Sequence, residues 1–140
     1  MKDWFDNSAK TIALFCRMYI NVKRDLPIRN SEMGVIIFVD KYDGEVTPNA
    51  ITEFLKISKP SVTVKIRALV EKEYVYKKYS KVDKRSYTLH LTPKAKHLVG
   101  LTDNDYYKLI NALSNGMGED NFLQLIHLME FANNVLNEYY

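Results

Sequence analysis

Apolar residues recur at spacings of three and four along most of the chain and switch to alternation only between residues 74 and 91. From Lys2 to Leu26, the residues Ile12, Phe15, Met18, Tyr19, Val22 and Leu26 fall on one helical face. Pro27 stops that helix, because its ring removes a donor and restricts the residue before it. Asn30 and Ser31 are candidate caps for a second helix with Val35, Ile36, Phe38 and Val39 as its core, closed by the Asp43-Gly44 turn. Thr47-Pro48 opens a short helix to Lys56. The Thr47 hydroxyl can take an orphan N–H there, and proline costs nothing at the first helical position. Ile51, Phe54 and Leu55 are its expected core side chains. Ser58 caps a further helix whose inner stripe is Val62, Ile66, Leu69 and Val70, with Lys59, Ser61, Thr63, Val64, Lys65 and Arg67 facing outward.

Residues 74–79 and 86–91 are rich in β-branched and aromatic side chains and read as two strands joined by Ser80-Lys81-Val82-Asp83-Lys84-Arg85. Thr92-Pro93 repeats the cap-then-proline device. A long helix follows with Ala95, Leu98, Val99, Tyr106, Leu109, Ile110 and Leu113 on its apolar side. Gly100 and Thr102-Asp103 are candidate kinks, and Gly116 and Gly118 are expected to end it. A last helix runs from about Glu119 to Tyr139 on Phe122, Leu125, Ile126, Met129, Ala132 and Leu136. Helix, turn, helix, then a two-stranded ribbon is the order of a winged helix. The expected fold is therefore mainly α with a small β-wing, and the usual work of such a fold is gripping duplex DNA.

Charge sharpens this picture. The net charge of the whole chain is only +3, but residues 56–97 carry 12 Lys and Arg against 3 acids, a balance of +9 inside an acidic frame. Local positive charge attracts phosphate and releases condensed counterions. The outward side chains of the Ser58 helix suit a major groove. Hydroxyls and Lys can bond base edges or phosphates, and the Val64 methyls can meet a thymine methyl. The cationic tip, with Lys84 and Arg85, suits a minor groove, with Asp83 placed to hold Arg85. Taken singly, each feature is as well explained by a solvated lysine-rich face or a plain hairpin with a surface ion pair.

The stretch Ile51-Thr52-Glu53-Phe54-Leu55 through Ile57-Ser58-Lys59-Pro60-Ser61-Val62-Thr63 resembles the MarR family of winged helix-turn-helix transcription regulators. So do Leu69-Val70-Glu71-Lys72-Glu73-Tyr74-Val75, Asp83-Lys84-Arg85 and Leu91-Thr92-Pro93-Lys94-Ala95. Each fragment is weak alone; their order and distances make the match specific, and it extends over essentially the whole chain. The resemblance implies a single domain over 1–140, with dimerisation helices at 2–26 and 93–139 and a winged helix-turn-helix at 31–92. It implies a homodimer on double-stranded DNA. In it the Ser58 helix reads the major groove, Arg85 enters the minor groove and Asp83 orients Arg85. A dimer is also what physics asks for, since two copies about a two-fold axis read a pseudo-palindrome and one winged helix discriminates poorly. The chain departs from the family at Glu73, where Gly is common, so the turn into the wing is expected to differ. It departs again at Ala95-Lys96, where many members have a Gly, and the linker from Pro27 to Ser31 looks short.

A regulator of this type usually answers a small-molecule effector, and Met18, Tyr19 and Phe38 are the candidates to line its pocket; the plainer alternative is that all three are core. Cys16 is the candidate redox residue, with Arg17 and Lys23 as modest support for a thiolate; the alternative is an inert apolar cysteine. His90, His97 and His127 form no ligand motif, so no metal site and no cofactor is expected. A single cysteine excludes an internal disulfide, and no nucleophile–base–orienter signature points to an enzyme. No apolar run spans a bilayer, and the acids of Met1-Lys2-Asp3-Trp4-Phe5-Asp6 replace a leader's apolar core, so a cytoplasmic protein is expected. Besides a DNA-binding repressor, the alternatives are a winged-helix adaptor that binds protein and a cysteine-based redox regulator.

Overall fold

The computed structural model describes residues 3–20 and 25–139, and for Ile20 and residues 103–106 the backbone alone. Val22, Lys23 and the Tyr106 side chain, invoked above, lie outside the described residues. The elements are α1 (Asp3–Ile20), α2 (Asn30–Lys41), α3 (Pro48–Leu55), α4 (Lys59–Glu71), β1 (Val75–Tyr79), β2 (Tyr87–Leu91), α5 (Pro93–Met117) and α6 (Glu119–Asn137). The two strands pair antiparallel from Val75 opposite Leu91 to Tyr79 opposite Tyr87. The Leu89 N–H reaches the Val46 carbonyl at 2.8 Å, which fastens β2 to the loop between α2 and α3. This is a mainly helical winged-helix fold.

Local chemistry fixes the starts of three helices. The Thr47 hydroxyl accepts the Ala50 N–H at 3.1 Å, the Ser58 hydroxyl accepts the Ser61 N–H at 3.3 Å, and the Thr92 hydroxyl accepts the Ala95 N–H at 3.2 Å. The core lies where α2, α3, α4, the ribbon and the first turns of α5 meet: Met33, Val35, Ile36, Ile51, Val62, Ile66, Leu69 and Leu89 are all fully buried.

Several expectations need correction. Residues 25–29 are not helical, so the first helix does not reach Leu26, which instead packs against the core. The second helix is capped at Arg29, one residue before the expected Asn30; the Glu32 carboxylate accepts the Arg29 N–H at 3.0 Å and does the work of a capping side chain. The fifth helix is continuous through Gly100 and Thr102-Asp103 and runs past Gly116, so Gly118 alone, at φ 84°, ends it. The sixth stops at Asn137. Phe54, expected in the core, is 62% exposed. Ile51 and Leu55 fill the inward side of the short α3, and Phe54 instead lays its ring on Phe38, with centroids 4.6 Å apart.

The turn into the wing is set at Glu73. Glu73 takes φ 63°, the left-handed conformation for which glycine is favoured. The Tyr74 N–H bonds the Leu69 carbonyl at 2.9 Å and the Glu73 N–H bonds the Val70 carbonyl at 3.0 Å, a Schellman termination of α4. The backbone keeps the glycine geometry and strains a Cβ to do so. Glu73→Gly is therefore expected to raise stability by about 0.5–1 kcal/mol, because relief of that strain exceeds the added freedom of the unfolded chain. A thermal melt that shows no rise in midpoint counts against this account.

The helices outside the winged unit look different. Trp4, Phe5, Ile12, Leu14, Met18 and Tyr19 are exposed along α1, and α6 buries no side chain. Phe122, Leu125 and Ile126 are half-buried, while Leu123, Leu128, Phe131 and Val135 stand open to solvent. Ile12, Met18, Met129 and Leu136, expected as inner-stripe residues, are exposed in the single chain. A helix apolar around most of its circumference is one that neighbours cover.

Candidate nucleic-acid interface

The α4 helix is anchored by its buried stripe of Val62, Ile66 and Leu69, which turns its other face outward. Lys59, Thr63, Val64 and Arg67 are exposed; Ser61 and Lys65 are half-buried. The Thr63 hydroxyl donates to the Lys59 carbonyl at 3.0 Å, leaving its methyl and the oxygen lone pairs for a ligand. The Ser61 hydroxyl accepts from Ser58 at 3.0 Å, so it is partly spent on the helix start. What this face offers is therefore cationic heads and methyl groups more than free hydroxyls.

The wing tip is built by two side chains. The Ser80 hydroxyl accepts the N–H groups of Val82 at 3.2 Å and Asp83 at 3.3 Å. The Asp83 carboxylate accepts the Arg85 N–H at 3.0 Å on one oxygen and the Ser86 hydroxyl at 3.1 Å on the other. These are local turns of the kind that Ser and Asp form with the backbone just ahead of them. Arg85 Nε lies 3.8 Å from Asp83 Oδ1, and the Arg85 side chain is 96% exposed. Asp83 thus acts mainly on the backbone that carries Arg85; its hold on the guanidinium is one long, solvent-screened ion pair. Lys84 is exposed beside it.

Not all of the basic segment faces outward to a ligand. The Lys72 ammonium sits 3.0 Å from Glu32, Lys94 donates to the Lys72 carbonyl at 2.8 Å and lies 4.4 Å from the Tyr74 ring, and Lys77 lies 4.6 Å from the Tyr87 ring. Three of the twelve cations are thus engaged within the fold, which the charge count could not show because the partners of Lys72 and Lys94 are 40 and 22 residues away. Glu32 itself is lowered in pKa. Burial pushes its carboxyl up, but the Arg29 N–H and the Lys72 ammonium together outweigh that. Burial, with the neighbouring Tyr79, pushes the Tyr87 hydroxyl up. The ribbon's outer face carries an exposed Tyr76 stacked on His90 at 5.3 Å, with the His90 Nε2 2.8 Å from the Thr88 hydroxyl.

The three expected pocket residues belong to two different settings. Phe38 is buried in the winged core against Phe54 and Tyr42, whereas Met18 and Tyr19 are exposed on α1, Tyr19 stacked on Phe15 at 5.8 Å. Cys16 is exposed, so the alternative of a buried, inert cysteine does not describe the single chain. His127 lies 3.6 Å from Glu130 on α6, and among the described residues no three His, Cys, Asp or Glu side chains cluster to hold a metal. No described helix is long and apolar enough to cross a membrane.

A MarR family model matches residues 25–86. The chain is similar in structure to a MarR/EmrR family transcriptional regulator from Acinetobacter sp. ADP1, with a TM-score of 0.80 and 18% identity over 99% of each chain. It is similar to Streptococcus pneumoniae FabT in complex with DNA, with a TM-score of 0.68 and 19% identity over 99% of this chain and 96% of the other. The MepR–DNA complex of S. aureus matches with a TM-score of 0.67 and 22% identity over 76% of this chain and 80% of the other. No curated protein matches the sequence. The match across the winged helix-turn-helix, with the fold shared with these regulators, makes the chain similar to the MarR family of winged helix-turn-helix transcription regulators.

Proposed function

We propose that the protein is a sequence-specific DNA-binding transcriptional regulator, a repressor that works in the cytoplasm as a homodimer on a pseudo-palindromic operator, and not an enzyme. The observation that carries this is the pairing of an outward cationic α4 with a wing tip whose turn presents Arg85 almost wholly to solvent. Lys59, Ser61, Thr63, Val64, Lys65 and Arg67 form the major-groove face, and Lys84 and Arg85 the minor-groove contact, with Asp83 setting the turn. That FabT and MepR were solved with DNA supports the same use of the fold here. Residues 31–92 act as the DNA-binding unit, and 2–26 with 93–139 as the dimerisation unit, because α1 and α6 carry apolar surface that their own chain leaves open.

The effector belongs between the two units. A cleft of about 470 Å³ lined by Glu53, Phe54, Lys56, Asn133, Asn134 and Leu136 lies between α3 and the end of α6. It has an exposed aromatic ring and several amides to fix a small ligand, which Met18, Tyr19 and Phe38 do not offer jointly.

The test is selection of bound fragments from a random duplex pool. Recovery of an inverted repeat with half-sites about one helical turn apart is the expected result. Affinity for the selected site should fall about a thousandfold or more between 50 and 200 mM salt if some six or more phosphates are neutralised. Failure to enrich any duplex leaves the protein-binding adaptor as the better account.

A further inference from the structure

Two chain crossings join the winged unit to the helices around it: the segment that enters α2, and the step from β2 into α5. Both are tied to one residue at the end of α4. The Lys72 ammonium donates to both Glu32 oxygens, at 3.0 and 3.3 Å, and the same carboxylate accepts the Arg29 N–H at the start of α2. The Lys72 carbonyl accepts the Lys94 ammonium, at 2.8 Å, from the first turn of α5. The Thr92 hydroxyl, which caps α5, also donates to the Glu73 carbonyl at 2.7 Å. So the C-terminus of the outward-facing helix is fastened to both crossings at once.

Glu32 is 3% exposed, and it is the charged residue that the described core contains. A buried carboxylate is a poor way to add stability. Well-packed apolar residues in its place are often neutral or better, whereas a buried ion pair fixes one arrangement among several. The one Lys72 ammonium is shared between both oxygens of a carboxylate that also holds the Arg29 N–H, so the joint is fixed by three contacts on one group. The pair is thus better suited to setting the direction of α4 relative to α2 and α5 than to holding the fold together.

We propose that Glu32, Lys72 and Lys94 are positioning residues that set the angle at which α4 leaves the dimer, and hence the operator half-site spacing the dimer accepts. This rests on the DNA-binding reading given above. None of the three needs to touch DNA, because Lys72 and Lys94 are committed to the fold. In a dimer each recognition helix must enter its groove in phase with the other, and one added base pair rotates a half-site by about one-tenth of a turn. A rigid joint therefore rejects the wrong spacer, and a loosened joint tolerates it.

The probe is a duplex library of two inverted copies of the selected half-site separated by zero to six base pairs, bound by the full chain and read by sequencing. Wild type is expected to favour one spacer at least tenfold over its neighbours. Lys72→Met and Lys94→Met are expected to bring those neighbours within about threefold, with binding to a single half-site unchanged, and Lys72→Arg is expected to restore the sharp profile. Lys94 is exposed, so its variant keeps the test open if Lys72→Met does not fold. A purely structural role would lower the melting temperature and scale all spacers alike. Wild-type profiles in folded Lys72→Met or Lys94→Met overturn the inference and leave DNA binding standing; a wild-type protein that binds no duplex overturns both.

Discussion

Arg85→Ala is expected to weaken binding to every duplex by about ten- to hundredfold, the loss that follows from removing one well-placed groove contact. The effect should be nearly independent of base sequence, because an arginine in a minor groove reads width and potential more than base identity. The companion variant separates charge from geometry. Asp83→Ala removes an acid from the tip and raises the local positive charge, so simple Coulomb attraction predicts tighter binding. It also deletes the acceptor of the Arg85 N–H and the Ser86 hydroxyl, so loss of the turn predicts weaker binding. We expect a several-fold loss. Titration of a labelled selected site with both variants at one salt concentration is sufficient; tighter binding by Asp83→Ala would show that the tip is only a cloud of charge.

The second large effect concerns α6. Leu128→Glu combined with Phe131→Glu is expected to yield a folded monomer whose affinity for the full operator is about a hundred- to a thousandfold lower. Phe131 is 70% exposed and Leu128 is open in the single chain, so neither change disturbs the winged core. Both put a carboxylate where a helical seam would otherwise bury apolar surface, and a charge held there without a partner is costly. Linking two half-site contacts through one dimer multiplies affinity by about a hundred- to ten-thousandfold, which is what the monomer forfeits. Sedimentation of the variant beside wild type reads the oligomeric state directly, and an unchanged dimer would place the seam elsewhere.

The winged unit was legible in the sequence because its signals are local. Thr47-Pro48, Ser58 and Thr92-Pro93 each act within one helical turn, and all three cap as read. The alternation at 74–79 and 86–91 is equally short-range, and the strands differ from it by a residue. Legibility failed where a partner was distant or the choice was one of degree. Periodicity assigns Phe54 to an apolar stripe but cannot say that an eight-residue helix fills its inner side with Ile51 and Leu55 first. It marks stripes on α1 and α6 without saying whether their own chain covers them. The Arg29 cap escaped notice because the capping group is the Glu32 side chain, and the Glu32–Lys72 pair spans 40 residues. At the candidate site, the outward residues of α4 could be named from spacing. The spending of the Thr63 and Ser61 hydroxyls on backbone and neighbour, and of Lys72, Lys77 and Lys94 on internal partners, could not.

The ribbon has one more property that follows from the bond between Leu89 and Val46. A two-stranded sheet presents a free margin on each side, and each margin is an invitation for a foreign strand to add itself. On the β2 side the Val46 carbonyl already occupies the Leu89 donor. On the β1 side stand Lys77 and Lys78 in succession, and an incoming segment would have to desolvate two ammonium groups to dock there. The same lysines that enrich the middle of the chain in charge therefore help to keep a small, exposed hairpin from seeding aggregates.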